Sequence, residues 1–138
     1  SHNKNQIKSE SVSKSSDIRI KATGYDVIGI DEAQFFDNEI VKICNDLANE
    51  GIRVIVAGLD MDYKGNPFGP MPYLMAIAEY VTKLHAICAK SGNLANHSHR
   101  ISNDKSLVHL GKKESYMPLS RVEFQKLIQK NKHTKEKP

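Results

Sequence analysis

A strand–helix–strand pattern in the first half of the chain constrains the fold more than any other feature. Residues 26–30 (DVIGI) and 52–59 (IRVIVAGL) are apolar runs without polar alternation, as is typical of strands covered on both faces. Between them, Asp37 can cap a helix that Gly51 ends, with an apolar stripe at Ile40, Val41, Cys44, Leu47 and Ala48. Because the joints are short, the pattern predicts a βαβ unit with parallel strands and a right-handed crossover.

The second half of the chain is less regular. Residues 60–70 (DMDYKGNPFGP) predict a loop just past the carboxyl end of the second strand, where open α/β sheets bind ligands. Pro72 can begin a further helix, and residues 81–88 (VTKLHAIC) are predicted to be a third strand. Residues 89–124 contain short alternating pieces broken by glycine, which indicate a small β-rich appendage.

Charge and composition exclude several classes of protein. The formal net charge of the 138 residues is +4, and residues 126–138, with five Lys and one Glu, account for all of it. The remaining body is neutral, so the basic tail is poor support for a nucleic-acid surface, and no nucleic-acid partner is expected. Two cysteines cannot make a disulfide framework, and no apolar run is long enough for a membrane span. We therefore predict a cytoplasmic protein without a membrane partner.

The chemistry is predicted to lie at Asp31 and Glu32, which directly follow the first apolar strand. An apolar strand that ends in two acids is a Walker B pattern, in which one carboxylate holds Mg²⁺ and its neighbour can act as a base. A strand that merely ends in two solvated acids is the structural alternative. The tetrapeptide 31–34 (DEAQ) also resembles the DEAx box of helicases, but 138 residues with a neutral body offer neither a second motor half nor a nucleic-acid track.

Several motifs, in order and at the right spacing, resemble the type II thymidine kinase family. They are residues 30–36 (IDEAQFF), 54–60 (VIVAGLD) and 67–69 (PFG), and further on 83–88 (KLHAIC), 98–100 (SHR) and Gly111 with 114–116 (ESY). The resemblance runs from about residue 1 to about residue 124. It implies an α/β fold with a P-loop-NTPase-like parallel sheet and a small β-rich C-terminal lobe, which carries a thymidine-covering lasso and a former zinc site.

The resemblance also implies a reaction and partners. The family transfers the γ-phosphoryl group of ATP to the 5′-hydroxyl of thymidine, with Mg²⁺, for DNA synthesis, and it forms homotetramers. On this basis the chain divides into a flexible segment (1–16), a partial kinase domain (17–85), a lasso lobe (86–124) and a basic tail (125–138).

Residue roles follow from the resemblance position by position. Glu32 matches the general base, Asp31 matches the acid near Mg²⁺, and the nucleotide-site segment comprises Asp31, Glu32, Ala33 and Gln34. The residues that match contacts to thymidine are Phe35, Leu59, Tyr63, Phe68, Ser98 and Tyr116.

Two departures from the family pattern alter these expectations. The sequence contains no G-x-x-x-x-G-K-[ST] motif, which in the family lies upstream of the residue where this sequence starts. We therefore expect a missing first strand and an exposed apolar edge or face of the sheet. The four zinc positions read Cys88, Ser91, Ser120 and Glu123, so Cys88 alone remains as a good ligand, zinc is not expected, and the lobe should be loose.

Three hypotheses remain open. The first is a thymidine kinase, here a truncated copy with impaired activity on its own unless a P-loop half is supplied elsewhere. The second is an inactive remnant that binds nucleoside or full-length kinase subunits. The third and least supported is a nucleic-acid binder that uses the Lys-rich tail.

Overall fold

A computed structural model describes residues 7–101 and 116–135 of the chain. The described residues form two compact units. Unit 1 comprises residues 1–59 and 69–78, and unit 2 comprises residues 60–68 and 79–138. Residues 102–115, which include Gly111 and most of the second part of the predicted lasso, lie outside the described residues, as do residues 1–6 and 136–138.

Unit 1 is an α/β unit built on two parallel strands. Its elements are α1 (Ser15–Lys21), β1 (Val27–Ile30), a 3₁₀ helix (Ala33–Phe35), α2 (Glu39–Asn49), β2 (Arg53–Val56) and α3 (Met71–Ile77). Strand β1 pairs with β2 in parallel, from Val27 opposite Arg53 to Ile30 opposite Val56. This pairing confirms the parallel strands predicted from the two apolar runs.

The core of unit 1 lies between the sheet and its helices. Helix α2 buries Ile40, Ile43, Cys44 and Leu47, and it packs against α1, β2 and α3. The buried stripe therefore includes Ile43, which the predicted stripe omitted, whereas Ala48 is exposed. From the strands, Ile28, Ile30, Val54 and Val56 face this core.

The opposite face of the sheet is open. Val27 is 54% exposed and Ile55 is 52% exposed, although both are β-branched residues of the kind that prefers a covered sheet. Their strand neighbours at alternate positions point into the core, which places these two side chains on the other face. The expectation of an exposed apolar face is confirmed for this two-stranded sheet.

Helix α1 was not predicted. It begins at Ser15, inside the segment predicted to be flexible, and Ile18 and Ala22 enter the core of unit 1. The Ser15 side chain is fully buried, and its hydroxyl donates a 2.8 Å hydrogen bond to Asp37. Asp37 Oδ1 also accepts a bond from the Glu39 amide at the start of α2. A serine-rich segment is therefore ordered by a partner 22 residues away, which its own composition does not reveal.

Unit 2 is made of short antiparallel pairs and one helix. Strands β3 (Ala86–Ile87) and β4 (Leu94–Ala95) pair, and so do β5 (His97–Arg100) and β6 (Tyr116–Leu119), which precedes α4 (Arg121–Lys135). The prediction of a strand over residues 81–88 was wrong except at Ala86 and Ile87. Residues 81–85 are exposed, and an apolar run forms a strand only where a partner strand is available.

Helix α4 crosses the predicted boundary between the lobe and the basic tail. Phe124, Leu127 and Ile128 recur at intervals of three and four, and they pack on the buried cluster of unit 2. Lys126, Lys130 and Lys132 are exposed on the rest of the helix, where their charge is solvated. The basic charge predicts a tail, whereas the apolar spacing of Phe124, Leu127 and Ile128 indicates a helix that packs on unit 2. The other predicted domain boundaries stay predictions.

The core of unit 2 contains a histidine. His97 is only 6% exposed, and its ring stacks on Phe124 with the ring centres 4.3 Å apart. The Nδ1 atom of His97 lies 2.7 Å from the side-chain oxygen of Asn96. Burial lowers the pKa of His97 below its usual 6.5, and Arg121 lowers it further, whereas Asp60 acts in the opposite direction.

Across the described ranges, no helix combines the length and the apolar character needed to cross a bilayer.

The first testable prediction concerns Gly69, which precedes α3. Its φ is +48°, and a Cβ atom there would lie 2.5 Å from the backbone oxygen of Gln34, which is too close unless one of the two segments moves. We expect Gly69→Ala to lower the free energy of unfolding by about 2 kcal/mol or more, through strain and displaced backbone. Urea unfolding measures the change.

The matched control for this prediction is Gly29→Ala on strand β1. A Cβ atom at Gly29 meets nothing within 4 Å, so its effect should stay within about 0.5 kcal/mol. Equal losses for the two variants would show that the approach of residue 69 to Gln34 does not constrain unit 1.

The second prediction concerns pH. Because the pKa of His97 is lower in the folded than in the unfolded chain, the unfolded chain binds a proton more readily below about pH 6.5. The free energy of unfolding should therefore fall as the pH drops through 6.5 and level off once the pH lies below the folded pKa. Urea midpoints between about pH 5 and pH 8 measure this dependence.

Two variants separate His97 from the other histidines. His97→Phe retains a ring that can stack on Phe124 but removes the proton site, so the pH dependence should flatten. His133→Phe changes an exposed histidine of α4 and should leave the pH dependence of the unfolding free energy unchanged. An undiminished slope in His97→Phe would refute the assignment.

Candidate functional site

The predicted acidic pair lies where the sequence placed it, immediately after β1. Asp31 and Glu32 are both exposed, between the carboxyl end of the strand and the 3₁₀ helix. This end of β1 is tied to β2 by two backbone hydrogen bonds, from Ala57 to Ile30 at 2.8 Å and from Ala33 to Ala57 at 3.0 Å. The two carboxylates are thus presented to solvent from the carboxyl edge of a parallel sheet, the edge at which α/β proteins bind ligands.

The backbone at Glu32 adopts an unusual conformation. Its φ and ψ are 53° and 38°, in the left-handed region, and it is the one non-glycine residue with positive φ within residues 7–101 and 116–135. The Glu32 amide donates a 2.8 Å hydrogen bond to Asp31 Oδ1, which holds the turn between the two acids. A non-glycine residue held in this region is strained, and strained residues of this kind cluster at functional sites.

Gln34 holds the Glu32 carboxylate in place. Its side chain is almost fully buried, its Nε2 donates a 2.5 Å hydrogen bond to Glu32 Oε2, and its Oε1 accepts a 3.0 Å bond from the Leu59 amide. One amide side chain therefore connects the carboxylate after β1 to the backbone after β2. Sequence reasoning assigned Gln34 to the nucleotide segment and did not find this bridging role, because the bond to Leu59 joins residues 25 positions apart.

Two glycines leave the space that Gln34 occupies. A Cβ atom on Gly58 would lie 2.8 Å from Gln34 Oε1 and 2.9 Å from the sulfur of Met71. On the other side, Gly69 approaches the Gln34 backbone as described above. The position of Gln34 is therefore determined by packing as well as by its hydrogen bonds.

The apolar residues predicted to contact the nucleoside in unit 1 are accessible. Phe35 follows Gln34 and is 72% exposed, and Leu59 is about half exposed. Ala33 is fully buried and contributes its backbone amide to the end of β1. Phe36, by contrast, packs against the core of unit 1, as an ordinary apolar residue does.

In unit 2, three of the predicted contact residues are grouped around β5 and β6. Ser98 and Arg100 share one face of β5, because His97 and His99 point the other way, toward Phe124. Arg100 lies over the ring of Tyr63, 5.3 Å from its centre, and is the cross-strand partner of Tyr116.

Sequence reasoning did not name Arg100 as a site residue, although its placement over the ring of Tyr63 and opposite Tyr116 makes it a candidate. Its position in the 98–100 motif could have indicated this. The fourth predicted residue of unit 2, Phe68, is half-buried, and its amide donates a 3.0 Å hydrogen bond to the Asp60 backbone oxygen at the end of the 60–68 loop.

The donors present fit Mg²⁺ but not zinc. The exposed carboxylates of Asp31 and Glu32 are the hard oxygen ligands that Mg²⁺ prefers, and this ion commonly takes one or two carboxylates together with phosphate oxygens and water. Structural zinc requires four nitrogen or sulfur donors, and the four family positions supply one thiol, two hydroxyls and one carboxylate. No cluster of three or more His, Cys, Asp or Glu side chains suited to a metal ion occurs in the part of the chain that the structure describes.

Comparisons with known proteins agree on one family. A family model described as thymidine kinase matches residues 1–124. A protein of Bacteroides fragilis named thymidine kinase is 52% identical over 133 residues, which are 96% of this chain and 66% of that protein. Proteins of the same name from Bacteroides thetaiotaomicron and a Rhodothermus species are 55% and 53% identical, over 88% and 91% of this chain and 61% and 59% of their own lengths.

The chain thus spans about three fifths to two thirds of the length of these relatives. The matched region includes the acidic pair, the Gln34 bridge and the residues grouped around β5 and β6. A family match over 124 of 138 residues, with relatives at about half identity, shows that the chain belongs to the thymidine kinase family.

Proposed function

We propose that this chain provides the base and the nucleoside-contacting residues of a thymidine kinase, which transfers the γ-phosphoryl group of ATP to the 5′-hydroxyl of thymidine. The observation that carries the proposal is the Glu32 carboxylate, held by Gln34 at the carboxyl edge of a parallel sheet. Family membership supports the reaction class, and the relatives' names support the nucleoside.

Glu32 has the position and the chemistry of a general base. Phosphoryl transfer is accelerated mainly by positioning and by charge neutralisation, and one protein group must accept the proton of the attacking hydroxyl. An exposed carboxylate can accept that proton, and the bond from Gln34 leaves its other oxygen available to a substrate. Since Gln34 is itself held at Leu59, Glu32 is oriented before the substrate arrives, which lowers the entropic barrier.

Asp31 is proposed to bind the magnesium ion of the ATP complex, with its carboxylate as the protein ligand. When bound, Mg²⁺ neutralises charge that develops on the phosphate oxygens. The sequence of 138 residues contains no G-x-x-x-x-G-K-[ST] motif. The proposal therefore requires a phosphate-binding segment in addition to the residues described here.

The resemblance to the family assigns the contacts to the thymine ring to Phe35, Leu59, Tyr63, Phe68, Ser98 and Tyr116, and the same roles are proposed for these residues here. A nucleobase pocket needs apolar walls together with a few polar groups that select the base. The exposure of Phe35 and Leu59 supports this role, because a large apolar side chain that is 72% exposed gains from being covered by a ligand.

A third prediction tests nucleoside binding directly. Calorimetric titration of the chain with thymidine should show binding, and Phe35→Ala should weaken it about tenfold through loss of a ring contact. Tyr73→Ala is the matched control, because Tyr73 is an exposed aromatic residue of α3 with no proposed contact to the ligand. No thymidine binding, or equal weakening by both variants, would contradict the proposed pocket.

A fourth prediction tests the base. Glu32→Gln should lower kcat for thymidine phosphorylation by about two to four orders of magnitude, because an amide cannot accept the proton. Transfer of label from radioactive ATP is measured for the chain alone and with a P-loop segment of a family member supplied separately. Glu39→Gln, at an exposed acid of α2, should retain full activity. Unchanged turnover in Glu32→Gln would remove Glu32 from the mechanism.

A further inference from the structure

The four positions that hold zinc in the family are still brought together in unit 2, although three of them carry no good ligand. Cys88 is buried at 2% exposure, in the cluster that includes Leu119 and Phe124. Ser91, Ser120 and Glu123 line one cleft of the same unit. Both halves of the family's ligand set, around residues 88–91 and around residue 120, therefore lie close together.

The first half is a closed turn held by its own hydrogen bonds. The Cys88 amide donates to the Asn93 oxygen at 2.7 Å, and the Gly92 amide donates to the Cys88 oxygen at 3.0 Å. Ser91 Oγ accepts a 3.3 Å bond from the Asn93 amide. Gly92, with φ at +72°, closes the turn. The hydroxyl that stands in a ligand position thus has a local structural role.

The second half has become the start of a helix. Ser120 directly precedes α4, and its Oγ accepts a 3.4 Å hydrogen bond from the Glu123 amide. A serine followed three residues later by glutamate is a capping-box pattern, and an acid in the first turn also favours the helix dipole. The Glu123 carboxylate is engaged by Lys126, whose Nζ lies 2.9 Å away. Ser120 and Glu123, which have the spacing of a pair of zinc ligands, therefore cap the start of a helix of 15 residues.

Further backbone bonds connect the two halves. The Ala89 amide donates to the Pro118 oxygen at 2.9 Å, and the Asn96 amide donates to the Leu119 oxygen at 3.2 Å. The first of these bonds joins the 88–91 turn directly to the strand that leads into α4.

We propose that this chain folds unit 2 without zinc, and that the backbone hydrogen bonds between the two halves, the shared burial of Cys88 with Leu119, and the Ser120–Glu123 helix cap replace the metal as the link between the two turns, while the backbone keeps the geometry of the zinc site. This inference concerns the structure of unit 2 and does not depend on the proposed kinase function. It departs from the expectation of a loose lobe, which considered only the lost ligands.

The first test measures metal content and its effect on stability. The chain purified in the presence of zinc should contain less than about one tenth of an equivalent of the metal, and EDTA should leave its Tm unchanged. One equivalent of bound zinc, or a Tm that falls on chelation, would overturn the proposal.

A second test examines the helix cap. Ser120→Ala should lower the Tm by about 4 °C, because the Glu123 amide loses its acceptor. Ser13→Ala, at an exposed serine of unit 1, should leave the Tm unchanged. If Ser120→Ala were as stable as Ser13→Ala, the cap would not hold the second half, and the proposal would fail.

A third test asks whether the backbone retains the metal-site geometry. Ser91, Ser120 and Glu123 line an open cleft of about 380 Å³, so an ion can reach these positions. The combined Ser91→Cys, Ser120→Cys and Glu123→Cys variant should bind one zinc ion per chain and become sensitive to EDTA. A control with Ser9→Cys, Ser11→Cys and Ser13→Cys adds three exposed thiols elsewhere and should remain insensitive. A folded first variant that binds no more zinc than the control would refute retention of the geometry.

Discussion

The buried side chain of Gln34 is the interaction on which the candidate site depends. It joins the residues after β1 to the residues after β2, and it does so with both ends of one amide group. Such a bridge is possible only because the parallel pairing of the two strands brings their carboxyl ends to the same edge. An ionised glutamate at position 34 could not donate to Glu32, and a leucine there could neither donate nor accept. The bridge therefore requires a side chain that does both, as an amide does.

This arrangement separates rigid support from exposed chemistry. Ala33 and Gln34 are buried, and Gly58 and Gly69 lie close against Gln34, whereas Asp31, Glu32 and Phe35 are exposed to solvent. The orientation of Glu32, the proposed base, is determined by buried partners, so it does not need to be ordered by a substrate. The left-handed backbone at Glu32 fits the same interpretation, because local strain there is held by the packing on either side.

Unit 2 illustrates how a small β-rich lobe can be held together without a large core. Its buried apolar residues are few, namely Cys88, Ala95, Leu119 and Phe124. Backbone hydrogen bonds between its two halves, a helix that begins at a serine cap, and a histidine stacked on Phe124 add directional contacts to this cluster. A metal ion and a set of hydrogen bonds are alternative ways to connect the same turns, and the second tolerates loss of the thiolates because amide donors belong to the backbone.

The sequence by itself determined the parallel pair, the helix between its strands and the position of the acidic pair, because these depend on local hydrophobic periodicity and on where an apolar run ends. It also identified the family, through motifs whose spacing is independent of conformation. Only the tertiary structure decided that α1 orders on Asp37, that residues 81–85 form no strand, and that α4 packs through Phe124. The Gln34 bridge and the bond from Ala89 to Pro118 likewise arise from partners distant in sequence, and no local pattern encodes which distant group a residue will meet.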